Sequence, residues 1–472
     1  MAKAVITILG TISKPRDGQE KAKYYFSDEL KDKFSLENER YTNMLPLLIK
    51  NFKSEYKNIK CIYSTLSKEK QTEVLEYEDI KFDIKDNGLF ISENIKDDEA
   101  DYSYFLSKYN DLIEEYEEVI IDVSHGFRHL PILAIINLII QNIKNPEKIE
   151  HILFAKEIKQ YEEYEIIDIK EYLDLAKLSF VLSSFNFNYT VGNEMSFENR
   201  EYNELTKKLT EISTHILGNS LKQLIGKDSL TDKTIETINK LLEEDSKLAT
   251  FKIYLDSIVE HLTKIKELDK EMEYIQYYKL SEMMGKRGYL LNSITLLNEA
   301  IGFYCVEELK KIDTIEEHIK SYHEKIESAN NDEDKKKFNL YKLTHHSKTI
   351  IKQQKDFKGA YLFNEKSEHE KSEVKAKILI FLKNRNYTEL STLIEKIENL
   401  RNNLAHGNSS EGIKNVKENI SNLLAKFKKK NLKPIIKKIE VVKKPKKEKI
   451  IPTGIDAPKE KVTELEDIFN NR

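Results

Sequence analysis

The strand-like segments of this chain stop at about residue 175, and the stretch from there to about residue 430 carries only helical periodicity. Before that point short runs rich in Val and Ile, "AVITILG", "IKCIYST" and "EVIIDVS", alternate with the helical patterns "TNMLPLLIKNF", "DYSYFLSKYNDLIEEY" and "LPILAIINLIIQNI". Strands this apolar, separated by helices, predict an open, largely parallel α/β sheet with helices on both faces. "IEHILFAKEI" and "YEIIDIK" follow a few polar residues apart and predict an antiparallel pair closing the sheet. "IKFDIKDNGLFIS", with its Asp-Asn-Gly turn signal, predicts a further hairpin inserted earlier.

From about residue 176 to 430 the apolar residues recur at three- and four-residue spacing, as in "LTEISTHILGNSLKQLI", "NSITLLNEAIGFYCVEELKKI" and "KAKILIFLKNRNYTELSTLIEKIENL". An all-helical domain is expected there, interrupted by a charged loop at "SANNDEDKKKFN". Residues 431–472, with a Lys run, prolines and no helical stripe, read as a mobile basic tail. The fold class is therefore α/β plus all-α, in the boundaries 1–175, 176–430 and 431–472.

Charge does not select a partner, because 77 Lys and Arg against 81 Asp and Glu leave a net charge of only -4. Cys61 and Cys305 lie in apolar surroundings without metal-ligand spacing and read as reduced core residues. The opening "MAKAVITILGTISK" is too short in its apolar run for a secretory signal, and "LPILAIINLII" falls short of a membrane span. A soluble, cytoplasmic protein without a membrane partner is the expectation.

The densest polar cluster in the first part is "IIDVSHGFRHLPILA". A buried strand ends near Asp122, Ser124 to Gly126 form a loop, and a helix opens with Pro131 in an early turn. Open α/β sheets bind ligands at such strand ends, where helix N-terminal amides attract anions and His125 and Arg128 add phosphate donors. The first strand ends similarly in "ILGTIS": Gly10 allows close backbone approach, and Thr11 and Ser13 supply hydroxyls. In the usual sheet order the two ends lie side by side and sketch a site for a phosphate-bearing ligand. There is no Walker lysine and no G-x-G-x-x-G loop, and no G-x-S-x-G elbow surrounds Ser124.

A second cluster closes the helical part, in "LIEKIENLRNNLAHGNSS". Asn402 and His406 are one helical turn apart on one face with Arg401 beside them, while Leu393, Ile397, Leu400 and Leu404 make a separate apolar stripe. Gly407 then stops the helix. A solvated polar face ending in a plain helix stop explains this as well as a site does, taken by itself.

Together the two clusters carry a resemblance. "DVSHGFR" followed by "LP" resembles the Asp-x-Thr-His-Gly motif of a family of CRISPR-associated proteins of type III systems, and "ITILGT" is similar to that family's opening strand. Those proteins join an N-terminal CARF domain, a Rossmann-like sensor of cyclic oligoadenylate, to a C-terminal helical HEPN ribonuclease domain. The HEPN signature is Arg, four to six residues, then His, commonly with Asn after the Arg; Arg401, Asn402 and His406 match it. The resemblance spans roughly residues 1–430, with Ser124 standing where the family usually has Thr.

It implies that Gly10, Thr11, Ser13, Ser124, His125, Gly126 and Arg128 bind a cyclic oligoadenylate activator and that Arg401, Asn402 and His406 cut single-stranded RNA. His406 would serve as general acid or base, Arg401 would hold the scissile phosphate, and Asn402 would orient the imidazole or bind phosphate. No carboxylate cluster or Cys/His set accompanies them, so neither metal nor cofactor is called for. Attack by the RNA's own 2'-hydroxyl leaves a 2',3'-cyclic phosphate and spares DNA. The resemblance further implies a homodimer, or a higher oligomer, that pairs two helical domains into one composite site, with small Ala405 permitting close approach. Two rivals stand beside it. One is a ring sensor whose helical domain binds a partner; the other is a ring nuclease using Thr11, Ser124, His125 and Arg128.

Overall fold

In the computed structural model the described residues are 2–12, 14–15, 20–36, 39–91, 102–126, 129–192, 195–197, 199–220, 222–244, 246–354, 367–407 and 412–429. The predicted tail, Ser13 and Arg128 lie outside them. The chain divides into two compact units, the first running to Asn292 and the second beginning at Ser293.

The first unit is built on one sheet of β1 (Lys3–Ile8), β2 (Ala22–Phe26), β3 (Arg40–Tyr41), β4 (Asn58–Tyr63), β5 (Gly88–Phe90), β6 (Glu118–Asp122), β7 (Ile149–Lys159) and β8 (Glu163–Asp168). Its order is β3-β2-β8-β7-β6-β1-β4-β5. β5, β4, β1, β6 and β7 run parallel, and β8 returns antiparallel to β7. Chain direction therefore diverges at β1, which pairs with β4 on one side and with β6 on the other. That split is the topological switch point of an open α/β sheet.

Both faces of the central strands are covered, which is why β1 and β6 are mostly apolar. Val5, Leu9 and Ile120 join the core under α1 (Met44–Phe52) and α2 (Thr65–Tyr77). Ala4, Ile6, Ile8, Val119 and Ile121 face the opposite core, with Phe105 and Tyr109 of α3 (Tyr102–Glu114) and Leu130, Ala134 and Leu138 of α4 (His129–Lys144). Neighbouring residues of one strand thus enter different cores, as the two-residue period of a strand dictates. Cys61 and Cys305 are buried free thiols.

The segment expected to form a hairpin does not. Asp83 accepts hydrogen bonds from the Lys85 and Asp86 backbone N–H groups at 2.7 and 3.1 Å, turning the chain, and only Gly88–Phe90 pairs, parallel to β4. An Asx turn feeding a short edge strand won over the hairpin signal in Asp-Asn-Gly.

Past the last strand the described chain is helical. α5 (Glu171–Asn188), α6 (Arg200–Leu217), α7 (Leu230–Glu244), α8 (Lys252–Lys266) and α9 (Glu273–Lys286) complete the first unit. α10 (Leu290–Leu309) spans the boundary and lies mostly in the second unit, followed by α11 (Asp313–Ser328), α12 (Asp332–Lys337), α13 (Leu340–Gln353), α14 (Glu368–Lys383), α15 (Thr388–Ala405) and α16 (Ile413–Phe427). α12 corrects the expected charged loop. Asn331 caps the Asp334 N–H at 2.8 Å, three acids occupy the first turn and three lysines the last, so the charges match the helix dipole at both ends. Among the described residues no helix is long and apolar enough to cross a membrane.

Candidate functional site

The two sequence clusters mark two candidate sites, one in each unit. The first lies at the C-terminal ends of β1 and β6. A Cβ built on Gly10 would come 2.9 Å from the Gly126 backbone nitrogen and 3.3 Å from the His125 Cβ. Gly126 adopts φ +118, and a Cβ there would strike the Ile8 Cγ2 at 2.7 Å. The strand-end loop and the end of β1 are thus in backbone contact, and only glycine permits it.

Asp122, fully buried at the end of β6, organises that loop. It accepts from the Thr7 hydroxyl at 2.6 Å, from the Ser124 N–H at 3.1 Å and from the Ser124 hydroxyl at 2.5 Å. The Ser124 Oγ in turn accepts from the Ala155 N–H of β7 at 2.8 Å. Its hydroxyl is committed as both donor and acceptor inside the protein. Thr11 is exposed beyond Gly10.

His125 is half-buried. Burial holds its imidazole below the usual histidine range, against the opposing pull of Asp122. A neutral ring fits the long 3.5 Å approach in which Nε2 accepts from the Met44 N–H at the start of α1. The same helix start carries Asn43, whose side chain accepts from the Leu45 N–H and donates to Gln71. Gln71 donates onward to the Gly10 and Ile12 carbonyls at 3.0 and 3.2 Å, pinning the backbone on either side of Thr11. The support that Asn43 and Gln71 give to this candidate site was invisible in the sequence. The one available signal was that a helix cap and a Gln are this deeply buried, and burial is read from the fold.

The second site is the end of α15. Ile394 and Ile397 are fully buried with Leu390 and Leu393 nearly so, while Leu400 and Leu404 are half-buried. Asn402 and His406 are exposed and Arg401 half-buried; the Arg401 guanidinium donates to the Asn402 Oδ1 at 2.9 Å. His406 caps the helix, its N–H bonded to the Asn402 carbonyl at 3.0 Å, and Gly407 turns the chain at φ +65 as the sequence predicts. Arg401 and Asn402 are in side-chain contact on this helix end, and His406 lies exposed one turn on from Asn402.

Beneath them runs a polar seam the sequence did not reveal. α10 and α13 touch closely, a Cβ on Gly302 meeting the Thr344 Cβ at 2.7 Å. One turn further along, Lys348 is buried with its ammonium on the Asn298 Oδ1 at 2.8 Å and 3.8 Å from Glu398. Glu398, one turn before Arg401 and Asn402 on α15, also takes Lys352 at 2.7 Å. Burial lowers the Lys348 pKa; Glu299 and Glu398 oppose that shift, and Arg401 adds to it. Among the described residues no group of His, Cys, Asp and Glu is arranged to hold a metal ion.

No family model matches the chain, and no curated protein matches it. Among solved structures the chain is similar to Enterococcus italicus Csm6 bound to cyclic hexa-2'-fluoro-hexa-dAMP, with 13% identity over 93% of this chain and 98% of that one and a TM-score of 0.38. At that similarity it carries no argument about function.

Proposed function

We propose that this protein is a metal-independent endoribonuclease of single-stranded RNA, switched on by cyclic oligoadenylate and acting in type III CRISPR defence. The observation that carries the reading is the grouping of Arg401, Asn402 and His406 at the exposed end of α15, clear of its buried stripe. Taken with the strand-end cluster in the same chain, a ribonuclease site accounts for this trio better than a solvated helix end does.

His406 takes the proton of the RNA 2'-hydroxyl or returns one to the leaving 5'-oxygen. Arg401 holds the scissile phosphate and stabilises charge that builds on it, its guanidinium steadied by the Asn402 oxygen. The products are a 2',3'-cyclic phosphate and a 5'-hydroxyl, and DNA is left intact. One Arg-His set is completed by a second copy in a two-fold dimer, Ala405 allowing the helix ends to meet. The activator docks over Gly10, Thr11, His125 and Gly126 and favours the dimer geometry in which the paired helix ends are competent. Support for the docking place is the contact of Gly10 with Gly126 at the switch point, beside the start of α1. A ring-cutting role for Ser124 gains no support, since its hydroxyl is already bonded on both sides.

The test is cleavage of a fluorogenic single-stranded RNA in EDTA, with and without cyclic tetra-adenylate or cyclic hexa-adenylate. Cleavage is expected with one ring only, and His406→Ala is expected to abolish it while ring affinity stays within about twofold. Ring binding without cleavage, or wild-type cleavage by His406→Ala, overturns the reading.

A further inference from the structure

β7 pairs with β6 only as far as Leu153, opposite Asp122, yet continues to Lys159. The β7–β8 hairpin therefore stands past the strand ends and walls one side of the crevice. Between this wall and the chain leaving β1 lies a cleft of about 480 Å³, lined among others by Thr11, Lys14, Lys21, Tyr24, Tyr161 and Tyr164. Its wall is aromatic, and its edges carry Lys14 and Lys21 together with the carboxylate of Glu20. The Tyr24 and Tyr164 rings stack at 5.0 Å between centroids and 12° between planes. Lys21 is held at the rim by buried Glu78, 2.8 Å away.

Tyr161 sits at the hairpin tip, 66% exposed, with φ +59. The turn is closed by the Glu162 N–H on the Lys159 carbonyl at 2.9 Å, and the Tyr161 N–H is held by the Glu157 carboxylate at 2.9 Å. Gly or Asn occupies such a left-handed position without strain, whereas a bulky ring does not. The chain thus keeps an exposed aromatic ring at the mouth of an aromatic cleft where local backbone preference opposes it, and strain of this kind concentrates at ligand clamps.

We propose that this cleft is a base subsite: a nucleobase, adenine if the ring-binding function proposed for this protein holds, stacks on Tyr161 while Lys14, Lys21 and Thr11 reach its phosphate. A flat ring with a neighbouring anion matches an aromatic wall flanked by ammonium groups, and base stacking on an exposed aromatic needs no further hydrogen-bond reading. The subsite adjoins the end of β1 through Thr11 and Ile12.

Binding of cyclic tetra-adenylate, cyclic hexa-adenylate and AMP is measured calorimetrically to the full-length wild-type, Tyr161→Phe and Tyr161→Gly proteins. Tyr161→Gly relieves the turn, so its melting temperature is expected to hold or rise while affinity for the bound ring falls about tenfold, the loss expected for one stacked base. Tyr161→Phe is expected to bind within about twofold of wild type. Equal affinity in Tyr161→Gly overturns the subsite and leaves the proposed function standing. If wild type binds neither ring but binds AMP through Tyr161, the subsite stands and the activator is wrong. If no nucleotide binds, both fall.

Discussion

Gly10 and Gly126 approach so closely that a Cβ on the first would lie 2.9 Å from the backbone nitrogen of the second. Two strand ends far apart in sequence are thereby locked against each other at the point where the sheet divides. The two positions should not tolerate alanine equally. Gly126→Ala meets both a forbidden φ of +118 and the Ile8 side chain, so a loss of about 2–4 kcal/mol is expected. Gly10→Ala meets only the steric contact and should lose about 1–3 kcal/mol. Urea denaturation measures both; equal stability of Gly126→Ala and wild type would show that the loop does not hold this conformation in solution.

Arg401→Lys keeps the charge but loses the planar fork that reaches Asn402. A fall in kcat of roughly 10²- to 10³-fold is expected, the usual effect of removing one charge-stabilising donor. Ring affinity should not move. Single-turnover cleavage at saturating activator is the assay, and a wild-type rate would remove Arg401 from the chemistry.

Glu398 and Lys348 should respond differently to truncation. Lys348 is 3% exposed and is met by the Asn298 amide and Glu398, so Glu398→Ala leaves a buried ammonium poorly compensated, at about 2 kcal/mol. Lys348→Met replaces the charge with an apolar chain of similar length and should stay within about 1 kcal/mol of wild type. Denaturant midpoints that rank the two variants the other way would contradict the buried seam.

The Glu78 carboxylate predicts a pH dependence. Burial pushes its pKa up, but bonds from Lys21 and from the Thr42 hydroxyl and N–H outweigh this and hold it below the ordinary 4.5. A folded pKa below the unfolded one adds stability above about pH 4.5, which is lost as pH falls through the lower folded value. Glu78→Gln should therefore be clearly less stable than wild type at pH 7, and the gap should close in acid. A gap that widens on acidification would mean the folded pKa lies above the unfolded one.

The architecture was largely legible because strands buried on both faces are rich in Val and Ile, and β1, β4 and β6 announce themselves. "AKYYF" did not, since β2 mixes Lys with Tyr on a sheet margin, and the two-residue β3 is too short for any period to show. The helix stop at Gly407 and the close approach at Gly10 were readable from residue type, whereas the pairing of Gly10 with Gly126 was not. The partners of Ser124 and the burial of Lys348 were not. Both depend on what packs against them from a distant segment, Ala155 of β7 in one case and Asn298 of α10 in the other.

The Ser124 hydroxyl ties the loop carrying His125 to Asp122 of β6 and to the backbone of β7 at once. That loop is consequently no hinged flap that opens and closes over a ligand at little expense. Any displacement of His125 pulls on the seam between two central strands, so force applied at the crevice is delivered into the body of the sheet instead of dissipating at its rim.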